Sequence, residues 1–164
     1  MYLARPRERA WAWLGATAAA VVAVDQATKQ LAVSALERGQ SESVFIGLEL
    51  THVRNTGIAF GALSGGGALV LALIAGAVLL LLVHFARRAD TPGLWLPVGA
   101  VLGGALGNLA DRSRDGTVID FIDPIVWPAF NVADIAIVLG VLGLFYVTGG
   151  SRGGREHHSG EEPA

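Results

Sequence analysis

The sequence predicts an all-α membrane protein, a four-transmembrane-helix bundle with a small extracytoplasmic β-strand lobe. Three observations predict it. Hydrophobic residues make up 52% of the 164 positions against 16% charged, and the mean hydropathy of +0.52 is too high for an ordinary soluble domain. The charges gather between four long apolar runs, as they do where runs lie in lipid and connections in water. One connection alternates apolar and polar residues with a period of two, the mark of a half-buried strand.

The first run extends from about Ala10 to Val33 and is interrupted by Asp25 and Lys29. Arg5, Arg7 and Arg9 before an alanine-rich stretch also resemble a secretory signal peptide, with Ala20 to Ala23 mimicking a cleavage site. Removing it would leave Asp25 at the very start of a thin, three-span bundle, so the run is read as a retained span. The second, Gly65 to Ala86, is uncharged and meets the roughly 20-residue requirement for crossing a bilayer. The third, Gly93 to Ala110, ends at Asp111, and the fourth runs from near Phe130 to about Thr148 with Asp134 about one turn in. The chain is therefore expected as a single membrane domain over 1–149, with spans at about 10–33, 65–86, 93–110 and 130–148. An outer lobe is expected at about 41–60 and a disordered cytoplasmic tail at 150–164.

Four spans put both termini on one side. That side would hold Arg5, Arg7, Arg9, Arg87, Arg88, Arg152 and Arg155, and the other Lys29, Arg38, Arg54, Arg112 and Arg114, a modest bias toward cytoplasmic termini. In the outer lobe Ile46, Leu48 and Leu50 alternate with Gly47, Glu49 and Thr51, and Asn55-Thr56-Gly57 supplies a turn. In the second outer stretch, Arg112 to Ala129, Asp115-Gly116 reads as a turn before the extended run Val118 to Ile122, and Pro124 and Pro128 exclude a continuous helix. Trp11, Trp13, Trp95 and Trp127 could anchor at the interfaces or pack between helices, and their places at the ends of the spans suit the former.

An ionisable group within a span is costly and hence a functional candidate. The topology brings Asp25, Asn108, Asp111, Asp120, Asn131 and Asp134 to one layer at the outer boundary. Asn108 with Asp111, and Asn131 with Asp134, are spaced by three and share helix faces. Gly99, Gly103 and Gly107 recur every four residues, a stripe that reads as close helix packing. The absence of cysteine removes thiol chemistry, thiolate metal sites and lipidation of the chain itself. There is no H-E-x-x-H. Neither His52 nor His84 has a partner at metal-ligand spacing, and a Ser/Lys dyad would have to use the single lysine, Lys29. Two carboxylates remain. Held close at low dielectric their pKa values split, so that one activates water while the other donates to the carbonyl oxygen. The bland alternative makes these acids ion-pair partners of Arg112, Arg114 or Lys29.

Several strings together carry a family resemblance. Asp25-Gln-Ala-Thr28-Lys29, Asn55-Thr-Gly57-Ile-Ala59-Phe60-Gly61, Gly103-Gly104-Ala-Leu-Gly107-Asn108-Leu-Ala-Asp111-Arg112 through Gly116-Thr-Val118-Ile-Asp120-Phe121, and Phe130-Asn131-Val-Ala133-Asp134 resemble lipoprotein signal peptidase, signal peptidase II. Each string is short, but they stand in the family's order over most of the chain. The resemblance implies an aspartyl endopeptidase of the bacterial inner membrane that removes signal peptides from prolipoproteins before a diacylglyceryl-modified cysteine. It implies Asp120 and Asp134 as the catalytic pair and Asn108 and Arg112 at the substrate backbone. Asn55 falls on the cradling lobe, Asn131 and Asp111 position the pocket, and Asp25, Lys29 and Gly104 support the site. Physics alone leaves Asp111 and Asp120 as rival partners of Asp134. The implied partners are lipid-modified prolipoproteins and membrane lipids, with the chain acting as a monomer; no cofactor, metal or nucleic acid is implied. Asp120 and Asp134 stand 14 positions apart, compact for the family. A small ion- or proton-coupled transporter is the alternative from another class; it would spread its acids through the membrane's depth and show repeats. A non-catalytic scaffold would need no paired Asn/Asp motifs.

Overall fold

The computed structural model describes residues 6–56 and 67–153, with side chains over 6–56 and 72–149. Four helices carry most of the described residues: α1 (Pro6–Ala35), α2 (Gly67–Arg88), α3 (Trp95–Asp115) and α4 (Val132–Gly153). Three short strands, β1 (Ser41–Phe45), β2 (Leu48–Asn55) and β3 (Val118–Asp123), form one antiparallel sheet in that order. The fold is thus mostly helical with a small sheet.

On α1 the buried residues Ala10, Leu14, Ala18, Asp25, Lys29 and Ala32 are separated by three, four or seven positions, a single face. That face meets α3, which lies between α1 and α4. The glycine stripe explains the closeness. A Cβ on Gly103 would stand 2.7 Å from both the Ala18 carbonyl oxygen and Val21 Cβ, and one on Gly99 2.8 Å from Thr17 Cβ. Gly104 faces the other way, against the Ala133 carbonyl of α4, and Gly140 of α4 answers it by closing on Pro97 and Val101. Small residues thus let the backbones touch on both sides of α3. At one end of the helices Ala10, Leu14, Phe85, Ala89, Leu94 and Val98 form an apolar core. There Trp11 meets Phe85 edge-on at 4.8 Å, and Trp13 lies 5.6 Å from Trp95. The sheet and the polar residues occupy the other end.

The outside of the helices is apolar: Leu73, Leu80, Leu139, Phe145 and Tyr146 are all exposed. Among the described residues only Val132–Gly149 of α4 is apolar enough over sufficient length to cross a membrane. Helices α1 and α3 dilute their hydropathy with residues turned inward, such as Asp25 and Lys29 on α1 and glycines, Asn108 and Asp111 on α3.

Three local readings need correction. Ile46 and Gly47 do not continue a strand but form the turn of a β1–β2 hairpin, with Gly47 at φ 82 and Ile46 96% exposed. Glycine permits that left-handed corner, which overrides the alternation around it. Leu50, expected half-buried, is exposed. Helix α3 continues past Asp111 to Asp115, so Arg112 and Arg114 are helical. The expected Asp115-Gly116 turn is its C-cap: Gly116 adopts φ 69 and its N–H donates to the Arg112 carbonyl at 3.0 Å. The expected turn at Gly57, the motif's Ala59, Phe60 and Gly61, the start of the second apolar run and the tail 154–164 lie outside the described residues.

Candidate active site

The site is built where α1, α3, β3 and the N-terminus of α4 converge. From α1, Lys29 is buried, and its Nζ reaches Asp25 Oδ2 at 2.8 Å, Asp111 Oδ2 at 2.7 Å and Asn108 Oδ1 at 2.9 Å. One ammonium thereby places its three donors on three acceptors, the condition under which a buried charge is tolerable. Asp25 spends its other oxygen on α4, accepting the Ala133 N–H at 3.0 Å. A carboxylate at a helix N-terminus also meets the favourable end of the macrodipole. Asp111 accepts a bond from Gln26 Nε2 at 2.9 Å and a longer one, 3.4 Å, from the Ile119 N–H.

The start of α4 is a reciprocal cap. Asn131 Oδ1 accepts the Asp134 N–H at 3.0 Å while Asp134 Oδ2 accepts the Asn131 N–H at 3.2 Å. The other Asp134 oxygen takes Asn108 Nδ2 at 2.8 Å. The Asn131 Nδ2 turns toward β3, donating to Asp120 Oδ1 at 2.7 Å and sharing its remaining donation between Asn108 Oδ1 and the Ile119 carbonyl. Asp120 is closed on its far side by Asn55 Nδ2 at 3.0 Å. Asp120 and Asp134 are therefore bound to one residue, Asn131, and neither forms an ion pair among the described residues.

A β-bulge sets Asn55 in place. Leu50 pairs with Ile122 but Val53 pairs with Asp120, so β2 holds one extra residue between them. Without it the register would oppose His52 to Asp120 and turn Asn55 to the opposite face. Burial pushes the Asp120 carboxyl above its ordinary value of 3.8, with the Asp134 charge adding to the rise and the Asn55 and Asn131 amides and the Lys29 charge opposing it.

The structure brings Asp25, Lys29, Asn108, Asp111, Asp120, Asn131 and Asp134 into one connected network, with Asn55 at its rim. Gly104 is a packing position beneath it. Arg112 is not drawn to the acids; its Nη1 points to the Asn108 carbonyl at 3.4 Å. Gln26 is a member that residue type did not announce: its amide nitrogen faces Asp25 Oδ2, the Gly107 carbonyl and Asp111 Oδ1, and its oxygen accepts from Arg114. Its place next to Asp25 in the first motif was the sole signal.

The architecture is similar to that of solved membrane enzymes. A solved bacterial membrane enzyme, determined by the in meso method at 2.3 Å, superposes with a TM-score of 0.76 at 28% identity, covering 88% of this chain and 92% of that one. A second, at 1.9 Å, gives a TM-score of 0.70 at 30% identity over 80% and 89%. A family model described as signal peptidase (SPase) II matches residues 17–148. The lipoprotein signal peptidase of Pelotomaculum thermopropionicum is 44% identical over 127 residues, covering 74% of this chain and 82% of that one. That of Chlorobium phaeobacteroides is 40% identical over 148 residues, covering 79% and 92%. The chain belongs to the signal peptidase II family, proteases that act on lipoproteins.

Proposed function

We propose that the protein is an aspartyl endopeptidase that removes the signal peptide from diacylglyceryl-modified prolipoproteins, cutting before the lipidated cysteine, with Asp120 and Asp134 as its catalytic pair. The observation that carries this reading is the division of the acids. Lys29 is committed to Asp25 and Asp111, while Asp120 and Asp134 share Asn131 and have amide partners only. Four carboxylates around one lysine cannot all carry charge cheaply, and Asp120 is the one that burial pushes toward its protonated form.

In this reading ionised Asp134 takes a proton from water as the oxygen attacks the scissile carbonyl carbon, and protonated Asp120 donates to the carbonyl oxygen. Collapse of the tetrahedral intermediate breaks the C–N bond, with a proton delivered to the leaving nitrogen. Asn55 can turn its amide to accept from a protonated Asp120 or donate to a bare one. Arg112 and Asn108 are suited to the substrate backbone, Asp111 and Asp25 anchor Lys29, and Gly104 lets α4 seat closely. The substrate is itself a membrane helix whose backbone must be unwound before attack; the sheet edge supplies groups for the opened segment. Four helices spanning the bacterial inner membrane, both termini cytoplasmic, with 1–149 as one domain acting as a monomer, would set this site at the outer face.

The test is cleavage of a diacylglyceryl-modified prolipoprotein by purified protein in detergent, with no ion gradient. Asp120→Asn and Asp134→Asn should be folded and at least about 100-fold slower, the range of a lost general acid or base, while Asp111→Asn keeps measurable turnover. Activity retained in Asp120→Asn but lost in Asp111→Asn would reassign the pair, and an inactive wild type would sink the peptidase reading and leave the transporter.

A further inference from the structure

The sheet ends on an apolar tip that catalysis does not use. The β1–β2 turn exposes Val44, Phe45 and Ile46 by 58%, 73% and 96%, and the loop after β3 exposes Ile125, Val126 and Trp127 by 60%, 93% and 69%. Phe45 pairs with Leu48 across the hairpin and Glu49 with Asp123, so both segments sit at the same end of the sheet. Two stretches far apart in sequence thus bring six large apolar side chains together, whereas β1 away from the tip reads Ser41, Glu42, Ser43. Ile125 adopts a left-handed backbone, φ 66, unusual for a β-branched residue, with its N–H held by Asp123 Oδ1 at 2.9 Å. A patch of this kind on a surface facing only water is an association liability.

Chain length says what covers it. Trp127 lies five residues before Val132, the first residue of the membrane-length apolar segment of α4. Phe130 is fixed to the sheet by reciprocal bonds with Ile122 at 2.9 Å. Five residues reach at most roughly 17 Å, so the tip cannot stand far from the level at which α4 leaves the bilayer. The outward face of α4, with Ile135, Val138, Leu139 and Leu142 exposed, continues the same apolar character. At that depth an aromatic ring and small apolar loops favour the boundary between headgroups and acyl chains.

We propose that Val44–Ile46 and Ile125–Trp127 together insert into the surface of the lipid bilayer, so that the sheet is pinned at both ends. One end is held to the helices by Asn131 on Asp120 at 2.7 Å and by Arg54 on Asp115 at 2.8 Å, and the other by lipid. The inference rests on α4 crossing the membrane and goes beyond the peptidase reading.

Because the chain has no cysteine, single cysteines can report directly. Ile46→Cys, Val126→Cys, Leu139→Cys and Arg38→Cys are spin-labelled and the protein placed in phospholipid nanodiscs. Power saturation is then measured with oxygen and with a water-soluble nickel chelate. Labels at 46 and 126 should favour oxygen over nickel as the α4 label at 139 does, and the label at 38 should favour nickel. Nickel-accessible labels at 46 and 126 beside a lipid-facing 139 would overturn the inference alone. Shielding from both reagents would also overturn it, in favour of a second copy covering the tip. A label at 139 that prefers nickel would remove the membrane reading and the inference with it.

Discussion

Lys29 does for the site what no residue pattern announced: it divides similar aspartates into two kinds. Asp111 and Asp120 are both plausible partners of Asp134 in sequence, nine positions apart in one motif. Only folding shows that Asp111 touches the ammonium and Asp120 touches amides. Lys29→Met would leave Asp25 and Asp111 buried without a cation, a change that typically costs about 3–5 kcal/mol. A large fall in unfolding temperature in detergent is expected, and a fall of only a degree or two would mean that the two ion pairs add little to the fold. Asp120 supplies a pH dependence. The folded chain holds its proton more tightly than the unfolded chain, so this stabilisation is complete below the ordinary value of 3.8 and is lost as pH rises through the raised folded value. Asp120→Asn has no such proton to lose, so its unfolding temperature should gain on the wild type across that interval. Wild-type kcat/KM should fall on the alkaline side of the same interval if Asp120 is the proton donor, and a flat difference in stability would argue against an elevated Asp120.

At the scale of elements, the helices were legible because long apolar runs leave few alternatives, whereas their ends were not. Arg112 to Asp115 looked like loop because charges cluster there, yet the left-handed cap at Gly116 comes only after one more turn. The hairpin was hidden by an apparent alternation that Gly47 breaks, and the bulge that aims Asn55 at Asp120 left no trace in composition. Asn131 shows how an element's start becomes part of a site. Asn131→Ser keeps the cap on Asp134 but removes the amide from Asp120, so it should lose roughly 1–3 kcal/mol from unmet buried acceptors while turnover drops disproportionately. Asn131→Ala should cost about 1 kcal/mol more, the value of the cap. Comparing unfolding temperature with turnover in the two variants separates these roles, and equal stability would deny the cap. The glycine stripe is similarly testable. Gly103→Ala must displace the Ala18 backbone and should cost about 1–3 kcal/mol by overpacking, whereas Gly15→Ala meets no atom within 4 Å and should be tolerated.

The whole molecule is inverted relative to a soluble protein: its polar network is buried at one end and its apolar side chains face outward along the helices. The charge bias read from sequence was modest because five basic residues fell on the proposed outer side. The structure gives most of these a local task. Lys29 is buried in its ion pairs, Arg54 pairs with Asp115, Arg112 reaches the Asn108 carbonyl, and Arg114 bonds to Gln26 and to the Ala110 carbonyl. Residues so engaged are retained for structure whichever side they face, so they count little against the topological rule. Arg87 and Arg88, exposed at the end of α2, are left to express it. The turn between α2 and α3 should then be cytoplasmic and the sheet outside. A cysteine at Asp90 should resist a membrane-impermeant maleimide in intact spheroplasts and react after lysis, while one at Glu37, beyond the end of α1, reacts in both. Labelling at Asp90 in intact cells with protection at Glu37 would invert the bundle and put the acid cluster at the cytoplasmic face. An exported, lipidated substrate could not reach it there, and the proposed reaction would lose its setting.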